Sequence, residues 1–395
     1  MSSPSSPGHP TPQLITTTEA LAELCQRLRV ETFVTVDTEF MRERTYWPDL
    51  CVVQLGGTHE TAVIDALAPD LDLTPLKELF DDTSITKVFH AARQDIEIFV
   101  LKFGDVPRPM FDTQVAAMVA GFGDQVGYEA LVAGLTGGTI DKTHRFSDWA
   151  ARPLTAAQIT YAAADVTHLR DVYEALCSRL AKDGRLDWTK QEMATLHEAS
   201  TYRVDPETAY ERLRPRSTNR RFLGQLQALA AWREREAQRV NIPRQRLVKD
   251  ETLLEIAATA PASAEELMRS RGITKGFAEG KTGLAMLAVI EATKALGESA
   301  LPVPPAAKDT PRPSAALVSL LKVLLAAKCE QHQVAAKLVA NSEDIDRLAV
   351  EDSPNIPAMS GWRREVFGND ALALKRGAIA LGVDGRRIRL IAVER

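Results

Sequence analysis

The chain has 395 residues, 45% of them hydrophobic and 26% charged, and a formal net charge of −5. These values exclude wholesale disorder and fibrous repeats, and the mild acidity excludes a protein that coats nucleic acid by bulk charge, so any nucleic-acid contact must be local. The length exceeds what one hydrophobic core usually supports and predicts two or three domains. Cys25, Cys51, Cys177 and Cys329 lie far apart with no CxxC pair, which argues against a zinc knuckle or a disulfide framework and fits a reducing, cytoplasmic setting.

Residues 1–12, MSSPSSPGHPTP, have neither a basic start nor an apolar core and read as a disordered tail. Nowhere does an apolar run approach the ~20 residues of a membrane span. From about residue 30 the pattern becomes α/β. Apolar, β-branched runs at 33–36, 51–55, 61–64 and 87–89 predict strands, and Gly56-Gly57 between the second and third predicts a hairpin within an antiparallel meander. Helical spacing follows at 94–102, 113–120, 128–134 and 156–181, so a mixed sheet flanked by helices is expected over 13–205.

Beyond 205 strand signals vanish. Residues 220–296 read as all-helical, which places a first helical domain at 215–298. The stretch LPVPPAAKDTPRP, with five prolines, predicts an extended spacer over 299–313. Helical periodicity returns at 315–339 and 343–350, and 361–382 offers a further helix, so a second helical domain is expected over 314–395.

Three segments carry carboxylates in positions suited to chemistry. In VTVDTEF, Asp37 and Glu39 stand two apart on a predicted strand and share a face. In HAARQDIEIF, Asp95 falls where a strand ends and a helix begins. In ITYAAADVTHL, Tyr161 and Asp165 stand four apart on one helix face. Were these groups to converge, mutual repulsion would raise their pKa values and destabilise the fold unless cations sat among them. Oxygen ligands of this kind suit Mg²⁺ or Mn²⁺, and paired ions suit phosphodiester hydrolysis.

DTEF, HAARQDIEIF and YAAAD resemble the three motifs of the DEDD 3′-to-5′ exonucleases, in the subgroup with tyrosine four residues before the last aspartate. The resemblance implies a ribonuclease H-like sheet, two divalent ions bound by Asp37, Glu39, Asp95 and Asp165, and a nucleophilic water oriented or deprotonated with help from Tyr161. SDWAARPLTAAQ resembles the stretch before the third motif in the ribonuclease D family, where Thr155 reads as a helix cap. His90, Arg93 and His168 are nearby but read more simply as structural groups.

Residues 212–249 hold eleven Lys or Arg against two acidic residues, consistent with either a phosphate-contacting patch or a solvated helical face. The stretch LAAWREREAQRVNIPRQRLVKDETLLEIAATAPASAEEL resembles the helicase-and-ribonuclease-D C-terminal (HRDC) domain, and the final segment through GWRREVFG resembles a second copy. Together these resemblances imply an exoribonuclease that acts on RNA with a free 3′ end, chiefly transfer RNA precursors; the sequence does not fix the oligomeric state, for which a monomer is the expectation. A DNA-directed exonuclease and a catalytically silent RNA-binding module remain open alternatives on the residues alone.

Overall fold

The structure, a computed structural model, describes residues 11–141, 143–215, 217–304 and 312–393. Most of the expected tail and residues 305–311 of the proline-rich stretch lie outside them. Two compact units emerge, one of Met1–Glu39, Cys51–Ala199 and Thr310–Arg395, the other of Phe40–Leu50 and Ser200–Asp309.

The first unit is built on a six-stranded sheet. Its strands are β1 (Gln13–Ile15), β2 (Phe33–Met41), β3 (Asp49–Gly56), β4 (Thr61–Asp65), β5 (Thr86–Phe89) and β6 (Met110–Asp112), in the order β1-β4-β3-β2-β5-β6. β3 and β4 form the expected antiparallel hairpin, with Leu55 opposite Ala62. β1 pairs parallel with β4, β5 with β2, and β6 with β5, so the sheet is mixed. β1 and β6, at three residues each, are too short for a period-2 signal.

Helices α1 (Thr18–Leu28), α2 (Thr74–Asp81), α3 (Arg93–Phe103), α4 (Thr113–Val119), α5 (Tyr128–Thr136), α6 (Ala156–Lys182) and α7 (Leu186–Ala194) complete the α/β body. Their apolar stripes bury Leu21, Leu24, Leu76, Phe80, Phe99 and Leu176 to 1% exposure or less, which is where most of the folding free energy arises. α6 carries the first-turn device that the sequence suggested. Thr155 accepts from the Gln158 amide at 3.2 Å while the Gln158 side chain accepts from the Thr155 amide at 3.0 Å, a reciprocal capping box.

In the second unit, α8 (Arg220–Val240) packs against α9 (Arg244–Leu247), α10 (Asp250–Thr259) and α13 (Lys281–Lys294), and α11 (Ala264–Leu267) and α12 (Lys275–Ala278) pack on α13. Leu226, Leu229, Leu253, Ile256, Met286 and Ile290 make its core.

The C-terminal segment belongs to the first unit. α14 (Ala315–His332), α15 (Ala336–Val339), α16 (Ser342–Val350), α17 (Gly361–Arg363), a π turn at Arg364–Gly368 and α18 (Asn369–Lys375) surround Trp362 and Phe367. Trp362 stacks on Trp188 of α7 at 4.5 Å between centroids, with ring planes 8° apart. The helix expected to run to Gly382 stops at Lys375. Gly377 takes a φ of 70°, and Ile379–Asp384 (β7) and Arg387–Ala392 (β8) form an antiparallel hairpin. The reason is visible in the alternation of Ile379, Leu381 and Val383 and of Ile388 and Leu390, joined by a two-residue loop in which Gly385 has φ 61°. The second helical segment is therefore helical except for this hairpin.

Candidate active site

β2 carries two of the carboxylates. Val34 and Val36 are buried in the core, and the strand then brings Asp37 and Glu39, both half-buried, to the mouth of a cavity of about 430 Å³. Thr35 fastens this strand to α6, its Oγ1 donating to the Val166 carbonyl at 2.7 Å. The approach needs Gly56 on the adjacent strand, because a Cβ there would lie 2.4 Å from Thr35 Oγ1 and 3.1 Å from the Val166 carbonyl. Arg170, one turn beyond Asp165, donates to the Gly56 carbonyl at 3.2 Å and to Thr58 Oγ1 at 2.9 Å, and its guanidinium lies 4.1 Å from the Phe33 ring centroid.

α6 therefore presents Asp165 to β2 in one register. A second tie comes from Tyr128 at the start of α5, whose hydroxyl donates to the Asp165 carbonyl. Asp95 sits in the first turn of α3, where the helix dipole favours negative charge. The turn before it is held by Asp112, whose carboxylate accepts from the amides of Ala91 and Ala92 at 3.0 and 2.9 Å and from Gln114 at 2.8 Å. Thr38 Oγ1 donates to Asp95 Oδ1.

Asp37, Glu39 and Asp165 each offer a carboxylate oxygen, and these oxygens all lie within 4.8 Å of one another. Asp95 stands outside that group of three but acts on it electrostatically, being among the charges that raise Glu39. Burial, then the Asp165 charge, pushes the Asp37 carboxyl well above the usual carboxylate range. Burial, then Asp37, Asp165 and Asp95, pushes Glu39 up to about 9. Burial pushes Asp165 up to about 7, and burial and Asp37 push Asp95 well up. Carboxylates gathered in this way hold protons they would otherwise release, and a hard divalent cation removes the cost by supplying the missing positive charge. The donor set, all oxygen and multiply anionic, fits such an ion.

Tyr161 borders this cluster. Its phenol is raised above its ordinary pKa by burial and by Asp165, Glu39 and Asp37, with Arg145 opposing. Its ring lies among Trp149, at 6.0 Å, and His144, at 6.3 Å between centroids. The loop that carries these residues is anchored by Arg152, whose Nε contacts both Asp65 oxygens at 2.9 Å and whose Nη1 donates to the Trp149 carbonyl at 2.6 Å.

All five sequence-selected residues thus lie in one neighbourhood, with three carboxylates in ligand range of one another. Sequence reasoning missed Tyr128 and Arg145, which line the cavity, and Thr38 and Asp112, which hold Asp95. None stands in a motif of its own, and only the convergence of elements marks them. His90 does line the cleft, yet its Nδ1 is occupied by Thr113 Oγ1 at 2.9 Å and its ring packs 5.1 Å from Tyr128, as its structural reading expects.

Comparison with known proteins places these features in context. A family model described as 3′-5′ exonuclease matches residues 12–181, and the HRDC domain model matches residues 222–290. A protein named ribonuclease D from Granulibacter bethesdensis is 66% identical over 383 residues, covering 97% of both chains. One of the same name from Gluconacetobacter diazotrophicus is 62% identical, covering 99% of this chain and all of that one. Among solved structures, the crystal structure of Escherichia coli RNase D, titled an exoribonuclease involved in structured RNA processing, superposes with a TM-score of 0.80 at 34% identity, over 93% of this chain and 99% of that one.

Proposed function

Because the chain belongs to the ribonuclease D family of 3′-to-5′ exoribonucleases, we propose that it removes 5′-mononucleotides from the 3′ ends of transfer RNA precursors and other small structured RNAs through Asp37, Glu39, Asp95, Tyr161 and Asp165. Acting on RNA with divalent metal is what membership entails, and the residue roles, the ion count and the substrates are our reading. The observation that carries it is the meeting of Asp37 and Glu39 with Asp165, from segments 126 and more residues apart in the chain, within 4.8 Å.

Asp37, Glu39 and Asp165 would hold one divalent ion, and Asp95, beside Asp37, would complete a site for a second, with Mg²⁺ or Mn²⁺ both compatible with the oxygen donors. Bound there, such ions supply Lewis-acid polarisation of the scissile phosphate and acidify the attacking water. The protein's own groups do the rest. Tyr161, held in its neutral form by its surroundings, donates a hydrogen bond and positions the water instead of serving as the base. Arg145 places positive charge on the cleft wall, where it attracts the phosphate. The 3′-terminal nucleotide is held by shape, stacking and backbone contacts, so weak sequence preference is expected.

The test is trimming of a 5′-labelled RNA with a single-stranded 3′ tail by the wild-type protein and by Asp37→Asn, with Mg²⁺, with Mn²⁺ and with EDTA. A ladder shortening from the 3′ end, lost in EDTA and in Asp37→Asn, is expected. Undiminished trimming by the variant rejects the residue assignment. A precursor transfer RNA against a generic hairpin with the same tail tests the substrate class, and a matched DNA tests the 2′-hydroxyl requirement.

A further inference from the structure

We propose that His90 is a specificity-determining residue of the cleft, its Nε2 accepting a hydrogen bond from a ribose 2′-hydroxyl of the RNA tail. This deepens the exoribonuclease reading above and rests on it.

The sheet places the ring. β2 and β5 run parallel with Thr35 opposite Val88, so two residues further along, where β2 reaches Asp37, the chain leaving β5 reaches His90. His90 accordingly lines the same cavity as Asp37, Thr38, Glu39 and Tyr161. Two neighbours fix it there. Its Nδ1 lies 2.9 Å from Thr113 Oγ1, and its ring centroid lies 5.1 Å from that of Tyr128, whose hydroxyl is tied to the Asp165 carbonyl.

These contacts decide which ring nitrogen carries the proton. Thr113 Oγ1 also lies 3.0 Å from the Phe89 carbonyl, which can only accept. A hydroxyl has one proton, so both bonds form together only when Thr113 donates to the carbonyl and His90 Nδ1–H donates to Thr113. Burial lowers the pKa of the imidazole, with the Asp112 charge opposing, and the neutral ring then keeps its lone pair on Nε2. Nε2 has no partner among the described residues, yet it is not one of their enclosed unpaired atoms, so it meets the open cleft. The structural bond made by Nδ1 thus leaves a second nitrogen as an acceptor held in place on the cleft wall.

An acceptor takes a donor. Phosphate oxygens only accept, and Asp37 and Glu39 on the same wall further disfavour an anion at Nε2. Base edges carry donors at different places on different bases. The 2′-hydroxyl is the same on every ribonucleotide, internal or terminal, and is absent from DNA. A group placed to pair with a hydroxyl discriminates against the analogue that lacks it.

The experiment compares kcat/KM for removal of the last nucleotide, with Mg²⁺, from 5′-labelled RNA tails that are all-ribose, 2′-deoxy at the last nucleotide, 2′-deoxy at the one before it, or 3′-deoxy at the last. It uses the wild-type protein, His90→Asn, whose amide reaches the Nδ1 position and can still donate to Thr113, and His90→Gln, whose amide reaches the Nε2 position. Melting temperatures check that the variants fold. The wild-type protein is expected to favour the all-ribose tail over one of the 2′-deoxy tails about fivefold. In His90→Asn the all-ribose rate should drop and that ratio fall to about one, and His90→Gln should bring the preference back. Wild-type trimming with no 2′-hydroxyl preference would overturn the proposal without any variant. So would a His90→Asn protein that slows equally on all tails, keeps the preference intact, or loses only a preference for the 3′-hydroxyl. A wild-type protein that trims none of the tails would reject the nuclease reading and this proposal with it, whereas trimming indifferent to His90 rejects this proposal alone.

Discussion

Glu192 and Asp165 are equally buried carboxylates, each 9% exposed, in the same compact unit, and the fold treats them in opposite ways. Glu192 on α7 accepts from Trp362 Nε1 at 3.2 Å and from Arg363 Nη2 at 2.5 Å, so it fastens the C-terminal segment to the α/β body. Asp165 has no donor to its carboxylate among the described residues, and faces Asp37 and Glu39 instead. Burial raises the pKa of both, but Arg363 and Trp362 pull Glu192 back down, whereas burial alone governs Asp165 among the described residues. A protein tolerates a buried charge by pairing it. Where it gathers several without a partner, the partner comes from outside.

Substitution should separate the two cases most sharply at Asp165. Asp165→Asn keeps the shape of the side chain but removes a ligand, and exonuclease turnover should fall on the order of 10³-fold or more while the fold is retained. Wild-type turnover in that variant would remove Asp165 from the chemistry. At Glu192 the reverse split is expected. Glu192→Ala leaves Arg363 and Trp362 Nε1 without their acceptor and should cost about 3 kcal/mol of stability in denaturant unfolding, with the turnover of the protein that remains folded close to wild type. A stable Glu192→Ala protein would show that the stacked tryptophans alone hold the C-terminal segment.

Tyr161→Phe comes next in size. Loss of a hydrogen bond that positions water should lower kcat about 10²-fold and leave KM within a factor of about three. Because burial and the carboxylates hold the phenol protonated, the pH profile of the residual activity should keep its shape. A variant that loses an ionisation from that profile would make Tyr161 the base and not the positioner.

How far the sequence alone reached follows the same division. Asp37-x-Glu39 and Tyr161-x-x-x-Asp165 were legible because strand and helix periods by themselves dictate a shared face, and Asp95 because it sits at a strand-to-helix junction. The sheet order was not legible, since β1 and β6 are too short to show a period. Nor was the role of Asp112, which looks like an ordinary helix cap until its second pair of amides, Ala91 and Ala92, is seen to come from the turn before α3. Thr35, Gly56 and Arg170 carry no local signal, because their contacts span more than 100 residues. The hairpin at 379–392 was read as helix through Gly382, since a few apolar residues near a real helix fit either period.

The last prediction separates the two kinds of buried acid without measuring activity. In the folded, metal-free protein burial and the neighbouring carboxylates push Glu39 up to about 9, and burial pushes Asp165 up to about 7, against ~4 in the unfolded chain. Between those limits the folded state keeps protons that the unfolded state has released, so stability contributed by these groups is fully present below pH ~4 and is lost as pH rises through 7 towards 9. The melting temperature in EDTA should therefore fall over that range, by about 1–2 °C for each kcal/mol lost. Glu192 adds a component of the same sign, but a divalent ion cannot relieve it. Saturating Mg²⁺ or Mn²⁺ should lift the high-pH end alone, since binding competes with the protons, and Asp165→Asn should flatten the metal-free curve while abolishing most of the lift. Were the wild-type curve to fall equally with and without metal, the pH-sensitive acids would be the paired ones, and the contrast drawn between Asp165 and Glu192 would be wrong.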